Sequence, residues 1–434
     1  MIILFQLFMV LLAARLAGEL CHRVGLPSSV GEILSGVLAA AAITQFGLGS
    51  MGDAMAGGAG AGGAGAGGEG GGLFDLRSSP VLQESADVAI FALILLAGIE
   101  MQPAEIVRRS WRSIAVAIGG VALPLALGIA VMWAFLPANE MRLPLALLAG
   151  VALSITALPA SIRVLQDLGL MASETGRLIL AAALIDDVLG LILMAVILAV
   201  IQSGSVPEVG TLLILLGKVA AFFALSITFG WHIYPHIRRG VALMQAMSVE
   251  LSALILAALA YGALAEFLDL HWVLGPFMAG MFFEPKRVGK AVYNRISTAV
   301  ASVVNGVLGP LFFFTIGMAV DLGAVTAAPI LVASLLAAAF LGKFFGAGIP
   351  AYFLGLGARG AAAVGAGMCA RGVMVLVILS IAVEKGLIAS LEGNGVPSDP
   401  TARQLFSALV LTAVVSTIIA PLILRAILAK SAKS

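Results

Sequence analysis

The sequence predicts an all-α polytopic membrane protein of about thirteen transmembrane helices, in two inverted six-helix repeats joined by a linker helix, with crossed broken helices at the midplane. Three observations lead there. Of the 434 residues 61% are hydrophobic and 11% charged, with mean hydropathy +1.12, whereas a soluble domain is about 25% charged. Apolar runs long enough to cross a bilayer recur along the whole chain. Two of those runs are interrupted at symmetric positions, and a third carries two adjacent aspartates, Asp186 and Asp187.

Taking about 20 apolar residues per crossing, spans 1 to 13 fall near 2–20, 29–47, 86–101, 112–136, 144–167, 176–202, 209–236, 246–267, 271–284, 297–319, 327–354, 360–386 and 404–429. The first run lacks the basic start and small-residue cleavage site of a signal peptide, so it reads as a retained helix. Between spans 2 and 3, Ala56 to Gly72 is almost wholly Gly and Ala and has nothing bulky to bury, which predicts a flexible external spacer. Basic residues in the short loops set the orientation. With the N-terminus outside, Arg108, Arg109, Arg238, Arg239, Lys286 and Arg287 fall inside, and the outside holds only Arg77, Arg142, Lys385 and Arg403. That places the chain in the cell (inner) membrane as a multi-pass protein with a cytoplasmic C-terminus. The bilayer is its first partner.

A formal net charge of +1 gives no electrostatic basis for a nucleic-acid partner. Cys21 and Cys369 have no metal-ligand spacing around them. The chain ends directly after span 13, so no nucleotide-binding regulatory domain is expected.

An odd number of spans permits spans 1–6 and 8–13 to be inverted repeats, with span 7 crossing once to reverse the second. Span 5 is then the counterpart of span 12. Span 5 reads Ser154-Ile155-Thr156-Ala157-Leu158-Pro159, where Pro159 removes a backbone donor. Span 12 reads Gly365-Ala366-Gly367-Met368-Cys369-Ala370-Arg371-Gly372, a glycine-rich patch around a charge. Broken helices in equivalent spans release carbonyls and amides toward a midplane site.

The charges within apolar runs point to the chemistry. A carboxylate at the centre of a membrane helix costs roughly 2.5–3.5 kcal/mol on insertion scales, so the Asp186-Asp187 pair in span 6 marks an ion or proton site. Lys343 in span 11 stands in Phe340-Leu341-Gly342-Lys343-Phe344-Phe345-Gly346 and needs an acidic partner. Adjacent helical residues point about 100° apart, so one aspartate can contact an ion while the other meets Lys343. Arg371, between the halves of span 12, can neutralise the end of a half-helix or pair with an acid. Asp187 and Asp186 are thus the candidate ion or proton ligands. Other charges read as structural: Arg15 and Glu19 can pair four residues apart, Lys218, Glu250 and Glu266 reach water near span ends, and Glu32 and Glu100 are expected as solvated caps.

With these residues in view, the chain resembles the cation:proton antiporter-2 family, and within it the NapA-type sodium/proton antiporters, over essentially its whole length. The likeness is carried by Gly25-Leu26-Pro27-Ser28-Ser29-Val30-Gly31-Glu32-Ile33-Leu34-Ser35-Gly36, by Leu95-Leu96-Ala97-Gly98-Ile99-Glu100-Met101 and by Thr156-Ala157-Leu158-Pro159. It continues in Asp186-Asp187, Gly342-Lys343 and Arg371-Gly372. The resemblance implies that Asp187 carries the cation or proton, that Asp186 is the salt-bridge partner of Lys343, that Asp187 and Asp186 are the candidate ligands of a monovalent metal ion such as Na⁺, and that Thr156, with Ser154 beside it, lines the crossing of the broken helices. It further implies a homodimer, with 1–105 and 246–322 as dimerisation scaffold, 106–202 and 323–434 as core transport domain, and 203–245 as linker. In one departure, Val373 follows Arg371-Gly372 where some relatives carry an acid.

The expected activity is electrogenic exchange of Na⁺ (or Li⁺) for H⁺ by alternating access, with no cofactor and no covalent catalysis. Ionised Asp187 binds the cation and protonated Asp187 cannot. A K⁺/H⁺ exchanger on the same scaffold is the alternative. An organic-anion transporter has no need of Lys343. An intramembrane aspartyl protease needs its two carboxylates on separate helices, and a prenyltransferase needs a second acidic cluster.

Overall fold

The computed structural model describes residues 2–24, 26–46, 80–100, 111–138, 142–156, 161, 164–165, 170, 173–203, 209–232, 249–384 and 400–429, and among these every regular element is a helix. The glycine-alanine segment 56–72 and Pro159 lie outside the described residues, as does the side chain of Asp187, whose backbone is helical.

In chain order the helices are α1 (Ile2–Arg23), α2 (Ser28–Phe46), α3 (Pro80–Glu100), α4 (Trp111–Phe135), α5 (Arg142–Ser154), α6 (Glu174–Ser203) and α7 (Val209–His232). They continue with α8 (Val249–Phe267), α9 (Leu274–Phe282), α10 (Lys290–Ala319, with a π-turn at Val304–Leu308), α11 (Pro329–Ala351), α12 (Gly357–Gly367), α13 (Val373–Glu384) and α14 (Pro400–Ala429). Among the described residues, seven helical stretches are long and apolar enough to cross a membrane, and four shorter apolar helices accompany them. Helix α6 alone is 30 residues, or about 45 Å at 1.5 Å per residue, more than the hydrocarbon thickness of a bilayer.

The helices pack in two groups. In one, α11 lies along α4, and α5, α6, α12 and α14 gather round that pair. In the other, α10 packs on α2, α9 on α3 and α8, and α1 on α2. Contact between the groups is thinner, α13 touching α3 and α14 touching α2. Helix α7 is held at three levels by the second group: Lys218 Nζ lies 2.6 Å from Asp269 Oδ2, the Tyr261 hydroxyl donates to Ser226 O at 3.2 Å, and Arg287 Nη1 donates to Gly230 O at 2.6 Å.

Small residues set how closely the helices approach. At the α4–α11 crossing, a Cβ on Gly346 would stand 2.4 Å from Gly119 O, and one on Gly119 would stand 2.3 Å from Gly346 O, so only glycine fits on both sides. Membrane helices, with no hydrophobic drive between them, associate through such close backbone contact. One turn earlier on α11, a Cβ on Gly342 would stand 2.7 Å from Pro124 Cα. These contacts fix the height of Lys343 in the first group.

Three charged side chains depart from the sequence expectation. Glu19 pairs with Arg23 at 2.9 Å and not with Arg15. Arg15 instead reaches Glu32 on α2, 3.9 Å away, and donates to Asn305 O in the π-turn of α10 at 3.1 Å. Glu32 is therefore no solvated cap: its side chain is 3% exposed, against Gly18 of α1. Glu100, at the last residue of α3, is exposed as expected.

Candidate functional site

Helix α5 stops at Ser154, and Ile155 and Thr156 continue without helical hydrogen bonding. Across from it α12 ends at Gly367, residues 368–372 are non-helical, and α13 starts at Val373. Non-helical backbone at membrane depth is tolerated only where its polar groups find partners inside the protein, and here each break supplies partners to the other. Thr156 Oγ1 donates to Met368 O at 3.3 Å, Ser161 Oγ donates to Gly367 O, and Arg371 Nη2 donates to Leu153 O at 2.6 Å.

The charged pair sits against this junction. Lys343 Nζ of α11 is 2.6 Å from Asp186 Oδ1 of α6, and both side chains are fully buried. The second carboxylate oxygen, Oδ2, accepts the backbone N–H of Thr156 at 3.0 Å. Asp186 thus ties three elements together, the start of the α5 break, α6 and α11. A carboxylate removed from water needs such saturation, because uncompensated burial of a charge costs several kcal/mol or more.

Among the described residues, Arg371 is the largest fully buried side chain. Its guanidinium donates to carbonyls: Leu153 O at 2.6 Å and Ala339 O at 3.1 Å from Nη2, and Cys369 O at 3.3 Å from Nη1, which also meets Ser416 Oγ at 3.3 Å. Leu153 lies in the last turn of α5, whose carbonyls have no partners further along the helix. The arginine therefore supplies donors and positive charge at the negative end of a half-helix dipole. Of the two roles open to Arg371, these contacts are the ones that helix-end neutralisation would use.

Of the sequence-predicted residues, Asp186, Lys343, Thr156 and Arg371 come together at the two breaks. Ser154 is fully buried beside them, with its hydroxyl donating to Val151 O of its own helix at 2.8 Å. Asp187 follows Asp186 in the same turn of α6. Sequence reasoning passed over Ser161, Ser416 and Thr417, whose hydroxyls bind the break. Their one sequence signal is a hydroxyl within an otherwise apolar run.

These features define a class: an all-helical multi-pass membrane protein with a buried, charge-compensated polar site where two broken helices meet, a transporter architecture and not that of an enzyme. The family profile described as "Sodium/hydrogen exchanger, transmembrane" matches residues 8–430. The chain belongs to that family. Among curated relatives, the Na(+)/H(+)-K(+) antiporter GerN of Bacillus cereus is 26% identical over 422 residues, covering 97% of this chain and 95% of the relative. The Na(+)/H(+) antiporter of Enterococcus hirae is 26% identical over 419 residues, covering 96% of each. Among solved structures, the sodium proton antiporter MjNhaP1 of Methanocaldococcus jannaschii superposes with a TM-score of 0.68 over 97% of both chains at 15% identity, a likeness of fold.

Proposed function

We propose that the chain exchanges Na⁺ (or Li⁺) for H⁺ across the cell membrane by alternating access, with cation and proton competing for Asp187. One observation carries this reading. Asp186 is already matched by Lys343 at 2.6 Å and by the Thr156 amide at 3.0 Å, so of the two adjacent acids Asp187 is the one left to bind and release a cargo ion. When ionised, it would draw on oxygens released by the breaks, with Thr156 and Ser154 beside it, to replace the hydration shell of a small cation. When protonated, it has no charge to offer. Exchange follows without a covalent step or a cofactor.

The same reading assigns about thirteen crossings in two inverted repeats, with the N-terminus outside and the C-terminus cytoplasmic. It places α4–α6 and α11–α14 in a moving core, and α1–α3 and α8–α10 in the scaffold of a homodimer. The close packing within each helix group and the thin contact between them support that division. If Lys343 releases its proton as the cation binds, two protons exchange for one cation, and each cycle moves one net charge, worth about 2.3 kcal/mol per 100 mV.

The relative named as an Na(+)/H(+)-K(+) antiporter supports a second reading, in which K⁺ is also a substrate. The two readings separate in proteoliposomes challenged with Na⁺, Li⁺ and K⁺ in turn, with and without an imposed voltage, while internal pH is followed. Proton movement driven by Na⁺ and Li⁺, and accelerated by voltage of the appropriate sign, is the expected result. A response to K⁺ alone would overturn the sodium assignment, and a response to none of the three would overturn antiport.

A further inference from the structure

We infer that Thr417 and Ser416 of α14 are positioning residues for ion binding, acting as a two-point clamp on Arg371 that sets the geometry of the helix break. The inference rests on the antiport reading above and goes beyond it, because it places part of the site's control on a helix with no residue at the proposed ion position.

The clamp has two arms. Thr417 Oγ1 donates to the backbone carbonyl of Arg371, and Arg371 Nη1 donates to Ser416 Oγ at 3.3 Å. The donor directions are consistent. Ser416 gives its own hydroxyl proton to Thr412 O one turn back, which turns its lone pairs toward the guanidinium. Thr417 also lies 2.7 Å from Ala413 O, so its proton is shared between its own helix and the break. Neighbouring residues on a helix point about 100° apart, so one pair of positions on α14 can grip both the main chain and the side chain of a single residue.

The rest of the break shows why that grip matters. Most of its carbonyls are taken up: Gly367 O by Ser161, Met368 O by Thr156, Cys369 O by Arg371 itself, and Gly372 O by the Val375 amide at 3.2 Å. Thr417 takes the Arg371 carbonyl, two residues before α13 begins. Holding that peptide orients the first turn of α13, whose free N–H groups form the positive end of a half-helix. Holding the guanidinium keeps Nη2 on Leu153 O and Ala339 O. Ala339 is one turn from Lys343 on α11. The clamp therefore sets where two fixed positive elements stand relative to Asp186 and its neighbour, and so the potential that an incoming cation meets.

The test is Na⁺-dependent proton flux in proteoliposomes, with the cation concentration for half-maximal rate read separately from the maximal rate. Thr417→Val keeps the shape and removes the donor. It should raise the half-maximal Na⁺ concentration about five-fold, the size expected for one lost hydrogen bond, with a smaller change in maximal rate. Thr417→Ser, which keeps the hydroxyl, should restore the wild-type value. Ser416→Ala should shift the half-maximal concentration in the same direction by about two-fold, since Nη1 keeps its bond to Cys369 O. It also serves as the reading if Thr417→Val cannot be purified as a monodisperse protein. Wild-type half-maximal concentrations in both variants would overturn the clamp, as would a loss confined to maximal rate. Absence of Na⁺-driven flux from the wild-type protein would overturn the antiport reading itself, an outcome distinct from either.

Discussion

Asp187→Asn is expected to abolish cation-driven proton movement while leaving the protein folded. The substitution keeps the volume of the side chain and its capacity for hydrogen bonding, and removes the charge that binds a cation and the site that takes a proton. Within the proposed competition both half-reactions need that carboxylate, so the loss is complete and not partial. Stability should survive, because the ion pair that matches buried charge, Asp186 with Lys343, is untouched, and an ionised acid inside a membrane helix is itself a burden. Flux in proteoliposomes, compared with the unfolding temperature of the same preparation, separates the two effects. Robust exchange by the variant would move the carrier elsewhere.

Lys343→Ala carries the second large effect, and on a different axis. The ammonium and the Asp186 carboxylate are 2.6 Å apart with no solvent exposure on either side. Removing one partner of such a pair leaves an uncompensated buried charge and costs about 3–5 kcal/mol. The unfolding temperature should fall sharply. The pH dependence of exchange should change as well, because the variant loses a fixed positive charge next to the ion site. Replacing the pair together, Lys343→Met with Asp186→Asn, should recover most of the lost stability, since matched removal of a buried pair is often near neutral. An unchanged unfolding temperature and pH profile in Lys343→Ala would take the pair out of the account.

How much of this was legible in the sequence differs from residue to residue. That Lys343 had to meet an acid could be read directly, because a lone ammonium in an apolar run has few ways to be stable, and the two neighbouring aspartates were the available acids. The ends of the broken helices were legible in outline from Pro159 and the glycines of span 12, though α5 stops already at Ser154. The partner of Arg15 was not legible. A pair four residues apart on one helix and a pair between helices are equally compatible with the string of residues, and only the close approach of α1 and α2 selects Glu32 over Glu19. Burial of Glu32 escaped for the same reason: its place near a span end says nothing of the Gly18 surface against which it lies. Ser161, Ser416 and Thr417 were missed because a hydroxyl in a membrane helix can always bond back to its own turn. Whether it also reaches a carbonyl of another element depends on interhelical distances that no local pattern encodes.

The central claim is that one carboxyl group holds either a proton or a cation. It is tested most directly by adding Na⁺ or Li⁺ to weakly buffered purified protein and measuring the protons released. The account predicts release that saturates with cation, weakens as the starting pH is lowered or raised away from the range in which Asp187 is partly protonated, and vanishes in Asp187→Asn. Cation binding with no proton release at any pH, or equal release from Asp187→Asn, would contradict it.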